Sequence, residues 1–313
     1  MLYELANQES ATPLLYDVRN LLQHNLDSIN SLPGVNQSAM KLYSGTRDDL
    51  NSLLESPMLL PRHNMNDRNI LFRSVKDILT RHSSAGSTIE WLFDYASDCK
   101  RRGEPVNLTS ILDRHFSLTL LCDHYVGVAD PRLSRGSIRK VSSVLDLIED
   151  VKEEALFATA IAFPDSFIDI KIPEGDPDDL PVFYIVPSAF RYILMELVKN
   201  AVSASQKACI EISVEESTLV VIVIDSGDGI SPDVDLYEFG HVRHKYDRLD
   251  LQTSYAMPPS DPLSGVGVGL ALSKLIANKY GGDVDVRNNA AGNGATATYT
   301  IPLTPSITII EID

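Results

Sequence analysis

The segment VVIVIDSGDGI, Val220 to Ile230, restricts the fold more than any other stretch of the chain. Its uninterrupted β-branched run predicts a buried strand, and the strand stops on Asp225. Gly227 and Gly229 follow, where a chain without Cβ turns tightly. A carboxylate left at a strand end beside such a turn is placed to accept from an amino group, as on a purine base.

A helix is predicted just before it, over FRYILMELVKNAVSAS, residues 190 to 205. Neither Gly nor Pro interrupts this run, and Ile193, Leu194, Met195, Leu197, Val198 and Val202 give it apolar surface to bury. Glu196, Lys199 and Asn200 stand at i, i+3 and i+4, so they share one face beside that surface. Taken alone, the triplet also reads as a solvated charge stripe. After the strand comes LSGVGVGLALSKLIANKYGGDVDV, in which Gly265, Gly267 and Gly269 precede an apolar helix. Bare backbone N–H groups at a positive helix end suit a phosphate, although one such run alone reads equally as a loop. The ordered set is the stronger signal.

The pieces ELVKNAVSA, DSGDGI, GVGVGLALSKLIANKYGGDVDV and GNGATATYTIPL together resemble one ATP-binding domain. It is shared by sensor histidine kinases, type II topoisomerases, mismatch-repair and heat-shock chaperone ATPases and the mitochondrial protein kinases. The resemblance implies ATP or ADP with Mg²⁺. Asn200 would hold the metal and Asp225 would read adenine. The implied nucleotide-binding set is Asn200, Asp225, Gly227, Gly229, Ile230, Gly265, Val266, Gly267, Val268, Gly269, Leu270 and Thr296, with the last glycines under a lid.

The chain has 313 residues, enough for about two domains, and its formal net charge of −16 argues against a nonspecific grip on nucleic acid. No apolar run approaches the roughly 20 residues of a membrane span. Cys99, Cys122 and Cys209 are widely spaced, which indicates neither a disulfide framework nor a zinc site. The opening MLYELANQESATPLLYDV lacks the arginine-rich bias of a transit peptide.

Helical spacing predicts four helices: one from Leu14 to Leu32-Pro33-Gly34, then Asp67 to Tyr95, Leu108 to Val128, and Ser142 to Ala162. Four such helices suit an up-down bundle. Residues 48–67 and 127–140 read as loops on composition. The expected architecture is multidomain, α and α+β: a helical bundle over 1–163 that regulates or docks, then an ATP-binding catalytic α/β sandwich over 164–304, then a short tail, 305–313. In the second part a strand over Phe167 to Ile172 precedes a helix (188–206), strands (209–214, 218–224), the lid, a helix (268–280) and strands (283–287, 295–301).

The helical half, through LLYDVRNLLQHNLDSINSLP, ILTRHSSAGSTI and LDRHFSLTLLCDHY, resembles the mitochondrial kinases of pyruvate and branched-chain 2-oxo-acid dehydrogenase. This implies a protein serine kinase of the mitochondrial matrix that inactivates a dehydrogenase subunit, works as a homodimer and docks a lipoyl domain of the acyltransferase core. Glu196 would take the serine proton, Lys199 and the Asn200-held Mg²⁺ would offset phosphoryl charge, and His82 matches a functional His of the family. A lone helical His is also a common structural residue. Tyr192, four before Glu196, leans towards the branched-chain type. Two departures stand out: Ser203 where the family has Arg, and Ala295 where it has Thr. The lid cations His241, Arg243, His244, Lys245 and Arg248 read as phosphate contacts or as a solvated loop. Two other readings stay open. One is a histidine-kinase-like signalling ATPase, for which His24 comes nearest to an acceptor. The other is a nucleotide-gated binding module without phosphotransfer.

Overall fold

The computed structural model describes residues 12–32, 37–55, 65–83, parts of 92–104, 107–129, 139–141, 143–160, 162–172, 183–233, 235–238, 269–290 and 292–303, a few single positions aside. The chain divides into two compact units, Met1–Ile138 with Ile309–Asp313, and Arg139–Thr308.

The first unit is helical. Its described helices are α1 (Thr12–Asn30), α2 (Gln37–Leu54), α3 (Met65–Ser83) and α4 (Thr109–Ala129). On α1, Val18, Leu21, Leu22, Leu26 and Ile29 are buried at helical spacing, and α1 packs on α2 and α4, while α3 packs on α4. The Ser31 hydroxyl donates to the Ser28 carbonyl and closes the end of α1. A helix, α2, covers the start of the stretch read as loop, because Tyr43, Thr46 and Leu50 fall on one buried face. The helix expected over 142–162 does form, as α5 (Val144–Thr159), but it belongs to the second unit, so the units part at Ile138 and not at 163. The reason is its buried stripe of Val144, Ile148, Val151 and Ala155, which packs on the helix that follows, α6 (Pro187–Ser205). Of the helix expected from Asp67 to Tyr95, residues 84–91 lie outside the described residues.

The second unit is α+β. A short antiparallel pair joins β1 (Arg139–Val141) to β3 (Phe183–Ile185). The main sheet contains β2 (Phe167–Lys171), β4 (Lys207–Glu215), β5 (Thr218–Asp225), β7 (Ala295–Pro302) and β6 (Asp283–Asn288), in the order β2-β4-β5-β7-β6. β2 runs parallel to β4, and the other neighbours are antiparallel. Register puts Ala208, Ile210 and Ile212 beside Asp225, Val223 and Val221, and the latter two beside Ala297 and Tyr299, all on one face. That face meets α6 and α7 (Gly269–Lys279), through Phe190, Ile193, Leu197 and Val198 of α6 and Leu272 and Ile276 of α7. The Phe190 and Tyr299 rings lie 6.0 Å apart across the interface. The result is a two-layer sandwich with helices on one face of a mixed sheet.

Candidate functional site

The site is assembled from one turn of α6, the end of β5, the start of α7 and the β6–β7 turn. Pro187 opens α6 at its first turn, where a missing N–H is harmless, and Gln206 ends it in the left-handed region with φ 60°. Between them the buried stripe fixes the helix rotation, so Glu196 and Lys199 face the same way. Glu196 Oε1 and Lys199 Nζ are 2.5 Å apart, with the side chains 12% and 15% exposed. Asn200, the next residue, is exposed.

The second carboxylate oxygen of Glu196 lies against Gly269, the first residue of α7. A Cβ placed on Gly269 would come 2.0 Å from Glu196 Oε2 and 2.9 Å from its Cδ. The carboxylate is therefore aimed at the end of the glycine-rich segment, where the positive end of α7 favours an anion. Leu197 and Val198, the next two residues of α6, are buried in the core.

Asp225 ends β5 with its side chain on the helix-covered face of the sheet, by strand alternation from Val223. Its Oδ1 accepts from the N–H of Gly227 at 2.8 Å and of Ala295 at 3.2 Å. Two backbone donors on one oxygen fix the carboxylate and leave Oδ2 free of hydrogen bonds among the described residues. The turn beyond is tight for a reason at each glycine. Gly227 packs on Ala204, whose carbonyl oxygen a Cβ would meet at 2.7 Å, and Gly229 has φ 77°. Gly294, with φ 88°, lets the β6–β7 turn approach the Asp225 carbonyl, where a Cβ would be 2.0 Å away.

Residues 185–305 match the model of the "Histidine kinase-, DNA gyrase B-, and HSP90-like ATPase" family. They form a histidine-kinase-like ATPase domain. The sensor protein KdpD of Clostridium acetobutylicum is 31% identical over 166 residues, 52% of this chain and 17% of that protein. The aerobic respiration control sensor protein ArcB of Escherichia coli is 34% identical over 114 residues, 36% of this chain and 13% of ArcB. The mitochondrial pyruvate dehydrogenase (acetyl-transferring) kinase 1 of Saccharomyces cerevisiae is 27% identical over 117 residues, 34% of this chain and 30% of that kinase. The chain thus spans less than a third of the length of each of these three relatives. The catalytic domain of histidine kinase ThkA resembles it with 20% identity and a TM-score of 0.39 over 53% of this chain and 96% of that one, a likeness too slight to argue from.

Within the ATPase domain, the structure brings Glu196, Lys199 and Gly269 together, and separately Asp225, Gly227, Gly229, Ile230 and the β6–β7 turn. Leu270 is the second residue of α7. Gly265, Val266, Gly267 and Val268, and the lid cations, lie outside the described residues. Thr296 sits one register position past Ala295, so it projects to the opposite sheet face from Asp225, and its hydroxyl donates to Asn289 Oδ1 at 2.6 Å. It braces the turn and does not face the pocket side. At Ala295 it is the backbone N–H that reaches Asp225. Ser203 is exposed on α6.

His82 belongs to the helical unit, in the last turn of α3. It is 2% exposed, and neither ring nitrogen has a hydrogen-bond partner. Its ring packs against Tyr43 at 5.1 Å and His115 at 5.8 Å, while the Tyr43 hydroxyl pairs with His115 Nδ1 at 2.8 Å. Burial first, then the nearby His115 and Arg81, push the His82 pKa down to about 3. These are the surroundings of a neutral core residue.

Two residues that the motif reading passes over are Asn288 and Asn289. Their signal in the sequence is a pair of carboxamides closing a strand just before a glycine-rich turn.

Proposed function

We propose that this chain is an ATP-dependent protein kinase in which Glu196 acts as the general base towards a serine hydroxyl. One observation carries the reading: the Glu196 carboxylate, paired with Lys199, is aimed at Gly269, the end of the glycine-rich segment that precedes α7. An acceptor hydroxyl entering there meets the carboxylate, which takes its proton as the oxygen attacks the terminal phosphorus of ATP and the bond to the bridging oxygen breaks, releasing ADP. Lys199 holds the carboxylate in place and contributes positive charge beside the transferring group. Asp225 Oδ2 accepts from the adenine amino group. Asn200, exposed one residue beyond Lys199, offers an oxygen ligand suited to Mg²⁺, which ordinarily takes one or two protein oxygens and completes its shell with phosphates and water. That ion would neutralise phosphate charge.

The acceptor we favour is a serine on the dehydrogenase component of a mitochondrial 2-oxo-acid dehydrogenase complex. The resemblance of the helical half and the likeness to the yeast kinase support it. The matrix location, a lipoyl-domain partner on a helical bundle, and a homodimer belong to the same proposal. A second reading, a sensor kinase that phosphorylates histidine, is favoured by the sensor proteins among the relatives; His24, exposed on α1, comes nearest to an acceptor but lacks the proline and the basic residue of that pattern.

Labelled ATP incubated with the chain and purified pyruvate and branched-chain dehydrogenase subunits tests both. Acid-stable label on a subunit is expected, and acid-labile label on the chain itself would decide for histidine. Glu196→Gln is expected to lose transfer by about 10²-fold or more while ADP affinity stays within a few-fold. Equal loss of binding and transfer would mean a structural role for Glu196.

A further inference from the structure

Asn288 ends β6 and Asn289 follows it, and their side chains reach far along the sequence. Asn288 Oδ1 accepts from the Ile230 N–H at 2.5 Å, and its Nδ2 donates to the Ile230 carbonyl at 2.9 Å. One carboxamide thus clasps both polar groups of one residue, as a neighbouring strand would. Asn289 Nδ2 donates to the Asp225 carbonyl at 2.9 Å and to the Asn293 carbonyl at 2.8 Å, and its Oδ1 accepts from Thr296. Both Nδ2 hydrogens and Oδ1 are engaged, so the group has one orientation.

Asparagines in turns usually cap backbone two or three residues away. These two bind residues 58 and 64 positions distant, and their targets are the two ends of the Asp225–Ile230 turn. We propose that Asn288 and Asn289 are positioning residues for base recognition, which rests on the nucleotide reading above. Asn289 holds the Asp225 main chain while Gly227 and Ala295 hold Oδ1, so that Oδ2 points one way only. Asn288 holds the far end of the same turn at Ile230. A carboxylate with a fixed direction accepts from the amino group of adenine and repels the keto oxygen of guanine. Once the turn is released, that discrimination falls with it.

The test measures ADP and GDP affinity by calorimetry on the full chain, with thermal melting alongside, for the wild type, Asn289→Ala and Asn288→Asp. Asn288→Asp keeps the side-chain size, removes the donor and sets a carboxylate against the Ile230 carbonyl, so a space-filling role would leave it neutral. Both variants are expected to bind ADP about tenfold more weakly or worse, while the weak GDP affinity changes little and the ADP-to-GDP preference narrows. An unchanged preference, or equal weakening of both nucleotides, overturns the positioning role in either variant. Should Asn289→Ala fail to fold, the isosteric Asn288→Asp decides alone. A wild-type chain that binds neither nucleotide overturns the nucleotide reading itself, and this role with it.

Discussion

His82 and His115 are buried bases that the helical unit keeps neutral, and lowering the pH is the perturbation that exposes this. Desolvation pushes His82 from 6.5 to about 3 and His115 from 6.5 to about 4. His82 has no acceptor to receive a second ring proton, and the nearby His115 and Arg81 add repulsion. For a base with a depressed folded pKa, the unfolded chain binds more protons between the two values. Stability therefore rises with pH from about 3 for His82 and about 4 for His115 up to about 6.5, and is flat above about 7. At about pH 5, each ring left neutral in the fold favours the unfolded chain by about 2 kcal/mol, and the pair by about 4 kcal/mol. That is a large part of the 5–15 kcal/mol typical of a domain. Trp91 is the single tryptophan and falls within the sequence of the helical unit, so its fluorescence in a urea titration reports on that unit. The midpoint is expected to fall by about 2 M between about pH 7.5 and 5, taking an m-value of about 2 kcal/mol/M. His82→Phe should remove about half of that fall. A midpoint that does not move with pH, or the full fall retained in His82→Phe, would refute the reasoning.

Two further outcomes follow from the glycines of the ATPase domain. Gly269→Ala puts a methyl where Glu196 Oε2 and Cδ stand, so the carboxylate must rotate away; a melting temperature lowered by a few degrees with transfer reduced by about 10²-fold is expected, and wild-type transfer would show that the carboxylate's position is immaterial. Gly294→Ala meets both a φ of 88° and the Asp225 backbone oxygen, which cannot swing aside as a side chain can. A loss of about 2 kcal/mol or more in denaturant unfolding is expected, and a loss below about 0.5 kcal/mol would mean that the turn relaxes freely.

The parts of this fold that were legible in the sequence are those written by periodicity. The β5 run ending on Asp225, the α6 stripe behind Glu196 and the apolar face of α7 each repeat a pattern over many residues, and each forms where the pattern puts it. The second helix of the first unit was not legible because its buried positions, Tyr43, Thr46 and Leu50 among the described side chains, mix an aromatic, a hydroxyl and an aliphatic residue instead of repeating one apolar type. Helix α5 was legible as a helix but not as a member of the second unit, since an apolar stripe says that a face is buried and not against what. Long-range side-chain hydrogen bonds follow no period in the sequence. Asn288 and Asn289 are short polar residues at a turn, and only the closing of β5, β7 and β6 side by side brings them to Ile230 and Asp225.

The glycines show the same limit from the other side. In the sequence Gly269 reads as backbone bared towards a phosphate, yet the structure gives it a second constraint, the Glu196 carboxylate occupying the space of a side chain. Gly294 stood in the sequence only as part of a turn, although it carries the closest approach to Asp225. In both cases the missing Cβ lets another element reach a carboxylate-bearing residue, once at the phosphate end and once at the base end. A sequence reader sees two kinds of glycine there, but the structure shows one use of them: to hold Glu196 and Asp225 in place from outside their own elements.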